Sequence, residues 1–408
     1  MKHIVLIGDG MADYPLEELD GRTPIQAAAT PALDRVVSLG MTGQYWPIPD
    51  GMPPGSDIGN LSLFGYDPRA TFSGRAPIEA ANQGIKLGPD EVAFRCNLVT
   101  LEDGLMKDFT SGHITTDEAR EIVASLNDTL AKEFPAFFNT GVSYRHLAVL
   151  RPSEAASGDD LVAADCTPPH NITGREFGPY LPQGPGNGLL RAMMARSQEM
   201  LRDHPVNRAR VEKGLSPAVS IWLWGQGRAP KMQSFAERYN GKTGAVISAV
   251  DLVKGIGVCA GMEVINVPGA TGWIDTNYEG KVAAALDALS RHDAVFVHLE
   301  APDETAHQGR TDLKIQAIED YDARVVAPCL AWAEGRGDVR VLCAPDHLTL
   351  ISTKTHEGGP VPFALCGPGV PADSNTAYSE DTAAASGVGI REGHRLVQSF
   401  LRDGAVTL

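Results

Sequence analysis

Short apolar runs alternate with helical patterns along much of the chain, and this alternation is typical of an α/β fold. The runs at residues 3–7, 294–297, 339–344 and 360–365 are brief and bounded by polar or glycine-rich segments. Such runs predict buried strands. After the first run, Thr23, Pro24 and Gln26 have the spacing of a helix start with a capping box. The pattern therefore predicts a sheet with helices that return over it.

Acidic and histidine side chains lie beside each of these predicted strands. An Asp-x-x-x-His spacing, such as Asp303 to His307, usually marks an ordinary helix face when it stands alone. Here comparable residues recur at other strand ends, where ligands gather in α/β sheets. The candidate metal ligands are Asp9, Asp303, His307, Asp346, His347 and His356. Six such side chains are too many for one tetrahedral ion and suit two neighbouring cations.

Ser56 follows a turn made by Pro53, Pro54 and Gly55, and the apolar spacing after it predicts a helix that begins there. Free backbone N–H groups at a helix start favour an anion. One interpretation is that Ser56 only caps this helix. The other is that Ser56 is a nucleophile whose hydroxyl is coordinated to a cation and so made more acidic. The candidate metal ligands favour the second interpretation.

The composition excludes several classes of protein. A chain of 408 residues with 43% hydrophobic content predicts two globular domains. The net charge of −16 argues against nucleic acid or an anionic membrane as a partner. No apolar run approaches the roughly 18 residues of a spanning helix. Because the first residues also lack a signal-peptide pattern, we expect a cytoplasmic protein. The six scattered cysteines indicate reduced thiols, and nothing indicates the oligomeric state.

The pattern changes between residues 74 and 217, where short strands, a helix and a Pro/Gly-rich passage occur without any candidate metal ligand. We therefore expect a discontinuous metal-binding domain, residues 1–73 and 218–408, with residues 74–217 inserted as a smaller α/β domain. The inserted domain is predicted to bind the substrate and act as a lid. The candidate substrate-binding residues are Arg145, His146, His113, His170, Arg228 and Lys254. Most arginines and lysines are solvated surface residues, so these positions are hypotheses.

Several segments rich in these side chains also share a motif pattern. They are residues 8–13 (GDGMAD), 54–57 (PGSD), 300–307 (EAPDETAH), 345–347 (PDH) and 356 with 360–363 (PVPF). Together they closely resemble the cofactor-independent phosphoglycerate mutases of the archaeal type, within the alkaline phosphatase superfamily. The resemblance covers nearly the whole chain, including residues 141–146, 166–170 and 275–280. It implies an alkaline-phosphatase-like, doubly wound α/β sheet with a smaller inserted α/β domain.

The resemblance also implies a chemistry. It implies two divalent ions, usually manganese, although zinc, cobalt or magnesium would suit similar ligands. The first ion would be bound by Asp303, His307 and His356, and the second by Asp9, Ser56, Asp346 and His347. Ser56 would carry the phosphoryl group while 3-phosphoglycerate and 2-phosphoglycerate interconvert, a step of glycolysis. The implied partner is a small phosphorylated metabolite.

Two differences from the archaeal pattern leave the substrate open. Archaeal members carry an arginine before the Gly-x-Gly that here follows Trp224, and another arginine where this chain has His113. Both charges could have held a phosphate or carboxylate group. A bacterial branch shares these differences, and homoserine kinase activity is therefore an alternative, although no nucleotide-phosphate loop is recognisable. A phosphomonoesterase and a non-catalytic, metal-stabilised binding protein are further alternatives.

Overall fold

The computed structural model describes residues 1–408, and the chain divides into two compact units. The large unit consists of residues 1–72 and 231–408, and the inserted unit consists of residues 73–230. The insertion starts beside the predicted position, but it ends at residue 230 rather than 217. The reason is that the strand Ser220–Gly227 pairs antiparallel with Val92–Glu102 of the inserted unit. The lid role of this unit stays a prediction.

An eight-stranded sheet forms the core of the large unit. At its centre, the strand Lys2–Gly8 lies parallel to both Ala294–Leu299 and Val339–Ala344. These three strands are buried almost throughout, which explains their continuous apolar sequences. In sheet order, the strands are Gly389–Ile390, Gly40–Tyr45, Val361–Cys366, Val339–Ala344, Lys2–Gly8, Ala294–Leu299, Gly244–Ile247 and Glu263–Val264. Four strands were predicted from the sequence, and all four occur within a residue or two of their predicted bounds.

Helices connect most of these strands. The α-helices of the large unit are Pro24–Ala27, Pro31–Leu39, Ser56–Leu63, Pro68–Thr71, Phe235–Arg238, Asp251–Cys259, Tyr278–Ala288, Ala301–His307, Thr311–Tyr321, Ala327–Glu334, Glu380–Ala385 and His394–Phe400. A 3₁₀ turn (Glu17–Leu19), a π-helical turn (Asp322–Val326) and a hairpin of Leu348–Leu350 with Thr355–Glu357 complete the unit. The predicted capping box is confirmed, because the side chains of Thr23 and Gln26 each accept a hydrogen bond from the other's backbone N–H.

The inserted unit has its own antiparallel five-stranded sheet and hydrophobic core. Its strands are Val92–Glu102, Leu105–Asp108, Ala136–Val142, Arg145–Leu150 and Ser220–Gly227. Its helices are Arg75–Asn82, Thr116–Asp128, Leu130–Glu133, Gly158–Ala163, Asn187–Leu201 and Pro205–Glu212, with 3₁₀ turns at Pro169–Ile172 and Gly178–Tyr180. Phe94, Phe138 and Trp222 are fully buried in the core. The unit therefore has enough apolar burial to fold around its own centre.

None of the helices in the structure combines the length and the apolar character that crossing a lipid bilayer requires.

Candidate metal and nucleophile site

The three central parallel strands end at the same edge of the large sheet, and each end supplies an aspartate. Asp9 follows the strand Lys2–Gly8 directly, and Asp346 lies two residues beyond Val339–Ala344. Asp303 lies in the helix Ala301–His307, which follows the strand Ala294–Leu299. All three side chains are at least nine-tenths buried. Parallel pairing therefore brings together Asp9 and Asp346, which are more than 300 positions apart in the sequence.

Asp303, His307 and His356 form the first group of possible ligands. The Nε2 atom of His307 lies 3.2 Å from Oδ2 of Asp303, and Nε2 of His356 lies 3.4 Å from Oδ1. The Nδ1 atom of His307 is 2.9 Å from the Lys354 carbonyl oxygen, which fixes the ring. The two Nε2 atoms are only 3.0 Å apart. Imidazole nitrogens that converge beside a carboxylate in this way have the arrangement of ligands around a common cation.

Asp9, Asp346, His347 and Ser56 form the second group. The Nε2 atom of His347 lies 3.2 Å from Oδ1 of Asp9, 3.5 Å from Oδ2 of Asp346 and 3.1 Å from Oγ of Ser56. The backbone N–H of Gly10 donates to Oδ1 of Asp346 at 3.1 Å. One imidazole nitrogen therefore faces two carboxylates and a hydroxyl. Oxygen and imidazole ligands of this kind suit a divalent cation.

The pKa values of the buried aspartates depend on burial and on the charged groups beside them. Burial, together with the neighbouring Asp9 carboxylate, raises the pKa of Asp346 to about 7. Burial alone would raise the pKa of Asp303, but hydrogen bonds with His307 and His356 lower it well below its usual value. The Oδ1 atom of Asp9 is buried and has no hydrogen-bond partner. Bound cations would compensate these charges, so the residues fit two divalent ions.

The helix that carries Ser56 is held close to Asp346. Ser56 is the first helical residue and Gly55 is the N-cap, so the interpretation of Ser56 as only a helix cap is wrong. The Nδ2 group of Asn60 donates to the Ser56 carbonyl oxygen at 2.9 Å and to Oδ2 of Asp346 at 2.7 Å. A Cβ atom at Gly59 would lie 2.1 Å from the Asp346 carbonyl oxygen. Glycine is therefore required where the helix approaches this loop.

Sequence reasoning missed three polar residues that contact the predicted ligands. Asn60 bridges Ser56 and Asp346 as described, and the hydroxyl of Thr349 donates to Oδ1 of Asp303 at 2.5 Å. His298 lies with its Nε2 atom 3.2 Å from Oδ2 of Asp9. A histidine inside an otherwise apolar buried strand was the one available signal for this residue.

Three of the six predicted substrate-binding residues gather in the inserted unit around an aromatic group formed by Phe109, Tyr144 and Trp224. The ring of His170 lies 5.3 Å from Trp224, the ring of His113 lies 6.4 Å from Tyr144, and the Arg145 guanidinium lies 5.4 Å from Tyr144. The guanidinium of Arg95 also stacks 4.3 Å from the Trp224 ring. Cationic and imidazole side chains therefore lie close together within this unit, and such side chains are the groups that proteins use to bind anions.

The other three predicted substrate-binding residues have different surroundings. His146 follows Arg145 in the same strand, so its side chain points to the opposite face, where it is buried and accepts a hydrogen bond from the Gly141 N–H. Arg228 pairs with Asp159 at 2.8 Å. Lys254 belongs to the large unit, on the helix Asp251–Cys259, with its Nζ atom 3.8 Å from Asp251. The structure thus does not bring these three residues into the aromatic group.

Fold and site together define an α/β protein with two groups of side chains that could hold divalent cations, one of them beside a serine. The family model described as 2,3-bisphosphoglycerate-independent phosphoglycerate mutase matches residues 38–207. A mutase of this name from Methanothrix thermoacetophila is 51% identical over 404 residues, which cover 98% of this chain and 100% of that protein. The chain belongs to the family of 2,3-bisphosphoglycerate-independent phosphoglycerate mutases.

Solved structures agree with this assignment. A protein from Pyrococcus horikoshii is similar with a TM-score of 0.79 and 30% identity, over 97% of this chain and 95% of that one. A cofactor-independent phosphoglycerate mutase from Thermoplasma acidophilum is similar with a TM-score of 0.65 and 27% identity, over 98% and 100% of the two chains. The predicted fold class and the predicted family are therefore confirmed.

Proposed function

We propose that this chain interconverts 3-phosphoglycerate and 2-phosphoglycerate through a phosphoryl group carried by Ser56. The observation that carries the proposal is the position of the Ser56 hydroxyl. It lies at the first residue of a helix, 3.1 Å from Nε2 of His347, and the same nitrogen faces the buried Asp9 and Asp346 carboxylates. Family membership supports the substrate pair. A protein that only bound structural metal would not need a serine among these ligands.

Two divalent cations are part of the proposal. Asp303, His307 and His356 would hold one cation. Asp9, Ser56, Asp346 and His347 would hold the other. When bound, such cations offset the charge of a phosphoryl group and lower the pKa of a coordinated hydroxyl. We propose manganese as the native metal, with zinc, cobalt or magnesium as alternatives because they accept similar ligands.

The chain's own residues then account for the transfer. The Oγ atom of Ser56 forms a bond to phosphorus as the bond from phosphorus to the 3-oxygen of the substrate breaks. The proton that Ser56 loses is balanced by the proton that the 3-oxygen gains. The free N–H groups at the start of the helix Ser56–Leu63 favour the phosphoryl oxygens. The 2-hydroxyl of glycerate then takes the phosphoryl group, and Ser56 regains its proton.

The inserted unit is proposed to bind the glycerate part of the substrate through His113, Arg145 and His170. Burial lowers the pKa of His170, and the positive charges of Arg95 and Arg75 lower it further. At neutral pH His170 would therefore act as a neutral hydrogen-bonding group, and a substrate carboxylate would pair mainly with Arg145. A lid role for this unit, which keeps water from the phosphorylated serine, belongs to the same proposal. So does a cytoplasmic location.

The decisive assay for the proposed function is isomerisation without added 2,3-bisphosphoglycerate. Protein loaded with Mn²⁺ should convert 3-phosphoglycerate to 2-phosphoglycerate, followed by phosphorus NMR or by coupling to enolase. The Ser56→Ala variant is the matched control, because it should keep both cations and lose turnover. No isomerisation by the metal-loaded protein would reject the proposal. Free phosphate that forms faster than 2-phosphoglycerate would instead identify a phosphomonoesterase.

Homoserine kinase activity is not favoured, since the relatives are named mutases over essentially the whole chain. Incubation of the same protein with ATP and homoserine gives the direct comparison. Under the mutase proposal, no phosphohomoserine forms at a rate comparable to isomerisation.

A further inference from the structure

His298 lies inside the central strand Ala294–Leu299 and is fully buried, yet the proposed transfer gives it no role. Its two ring nitrogens face two different carboxylates. The Nε2 atom lies 3.2 Å from Oδ2 of Asp9, and Nδ1 lies 3.1 Å from Oε1 of Glu300. The imidazole thus connects the predicted metal ligand Asp9 to a second buried acidic side chain, Glu300.

Glu300 is fixed on both of its oxygens. Its Oε1 atom accepts hydrogen bonds from the Ser248 hydroxyl and the Ala249 N–H, each at 2.9 Å. Its Oε2 atom pairs with Nζ of Lys281 at 3.1 Å, and the same Nζ donates to the His298 carbonyl oxygen at 2.9 Å. Lys281 is fully buried, and only 2% of Glu300 is exposed. A buried carboxylate with this many partners cannot rotate freely, so it holds the His298 ring in one orientation.

The orientation of His298 decides which oxygen of Asp9 is available. Oδ2 of Asp9 faces Nε2 of His298 at 3.2 Å, and this buried nitrogen has no other polar partner. Oδ1 is buried without a hydrogen-bond partner and lies 3.2 Å from Nε2 of His347, on the side of the second ligand group. Without His298, the Asp9 carboxylate could rotate and offer either oxygen. With Oδ2 facing His298, Oδ1 is the oxygen that faces the second ligand group.

We infer that Lys281, Glu300 and His298 form a positioning chain that fixes Asp9 as a ligand of the second cation. The donor atoms of His298, Asp9 and Asp346 lie close enough to hold one ion. We nevertheless assign His298 to positioning, because its Nε2 atom faces Asp9, whereas Nε2 of His347 faces Asp9, Asp346 and the Ser56 hydroxyl. The inference rests on the proposed role of Asp9 and extends the site to residues that the sequence motifs did not indicate.

The test compares His298→Ala, His298→Gln and a control, His292→Ala. His292 precedes the same strand and also has an acidic partner, Glu263 at 2.6 Å, but that pair lies at the surface. Each protein is titrated with Mn²⁺ by calorimetry without phosphoglycerate. Loss of an outer partner of a metal ligand weakens metal binding about 10–100-fold. We expect this loss for one of two ions in His298→Ala and no change in His292→Ala.

The conservative variant and a spectroscopic measurement separate positioning from mere structural support. The amide of His298→Gln can still donate towards Asp9, so it should recover part of the lost affinity. Nitrogen couplings to bound Mn²⁺, measured by pulsed electron paramagnetic resonance, should be equal in His298→Gln and the unaltered protein. The loss of one nitrogen coupling would overturn the inference by making His298 a ligand. Unchanged affinity for both ions in His298→Ala would also overturn it.

These outcomes do not depend on turnover. Protein that binds two ions with His298-dependent affinity but does not isomerise phosphoglycerate would reject the proposed function and keep the positioning chain. If circular dichroism shows that His298→Ala does not fold, the Mn²⁺ affinities of His298→Gln and His292→Ala are compared instead. Weaker binding of one ion in His298→Gln alone would support the inference, and equal affinities in both variants would overturn it.

Discussion

Lys314 connects the segment that follows the predicted ligands Asp346 and His347 to Asp13 of the large unit. Its replacement by methionine is the most informative test of packing around the site. Its Nζ atom donates to Oδ2 of Asp13 at 3.0 Å and to the Thr349 carbonyl oxygen at 2.7 Å. Lys314 is fully buried and Asp13 is 2% exposed. Because the Thr349 hydroxyl donates to Asp303, the lysine supports both the loop and a ligand.

The expected loss of stability follows from the Asp13 carboxylate that Lys314→Met leaves without its cation. The methionine fills most of the space, but Asp13 loses its only buried cation and keeps hydrogen bonds from the Ile351 and Tyr14 N–H groups. Removal of one partner of a buried ion pair costs about 3–5 kcal/mol. The two remaining N–H donors favour the lower end, about 3 kcal/mol. For a unit of this size, that corresponds to a fall in Tm of about 6–12 °C.

Thermal unfolding followed by circular dichroism measures this effect, with Lys242→Met as the matched control. Lys242 pairs with Asp403 at 2.7 Å, but the aspartate side chain is 69% exposed, so the control should lose less than about 1 kcal/mol. The double variant Lys314→Met with Asp13→Asn removes both charges and should recover part of the loss. If Lys314→Met destabilised the protein no more than the control, the buried pair would not have the energetic role given to it here.

Three further perturbations test other parts of the site. Asp303→Asn removes the carboxylate charge that faces both His307 and His356, so the variant should retain one Mn²⁺ instead of two after dialysis. Atomic absorption measures the metal content, and retention of two ions would exclude Asp303 as a ligand. Gly10→Ala should lower Mn²⁺ affinity, because Gly10 has φ +57° and an added Cβ would lie 2.6 Å from Oδ1 of Asp303. In the control Gly51→Ala, φ is +83° but the space around the added Cβ is open, so this variant should lose only about 1 kcal/mol of stability. Burial raises the pKa of Glu380 to about 7, so the folded state keeps a proton that the unfolded state loses, and stability should fall between about pH 4.5 and pH 7. Glu380→Gln should reduce that slope in urea unfolding, since Asp346 titrates over the same range, and an unchanged slope would contradict the assignment.

The sequence was sufficient for four strands of the large sheet, including the three central ones, and for the metal-ligand candidates. Continuous apolar runs marked the central strands, and the carboxyl ends of parallel strands necessarily meet at one edge. The prediction that Asp9, Asp303 and Asp346 lie together therefore needed no knowledge of distances. The assignment of the helix start at Ser56 followed from the turn before it.

The residues that support the site could not be predicted in this way. Asn60, Thr349 and His298 act through contacts to a ligand far away in the sequence. Nothing in the local pattern distinguishes Asn60 and Thr349 from ordinary polar residues, and the one signal for His298 is its place in an apolar strand. The end of the inserted unit was misplaced for a similar reason. The strand Ser220–Gly227 is apolar enough for either sheet, and only its pairing partner decides which unit it joins.

Phosphorylation of one side chain is the centre of this account, and it can be observed directly. Mn²⁺-loaded protein is mixed with 3-phosphoglycerate, quenched in acid within its first turnovers, digested and sequenced by tandem mass spectrometry. The account predicts phosphate on Ser56, and no phosphorylated peptide from the Ser56→Ala variant. Phosphate on a different residue, or isomerisation by Ser56→Ala at an undiminished rate, would contradict it.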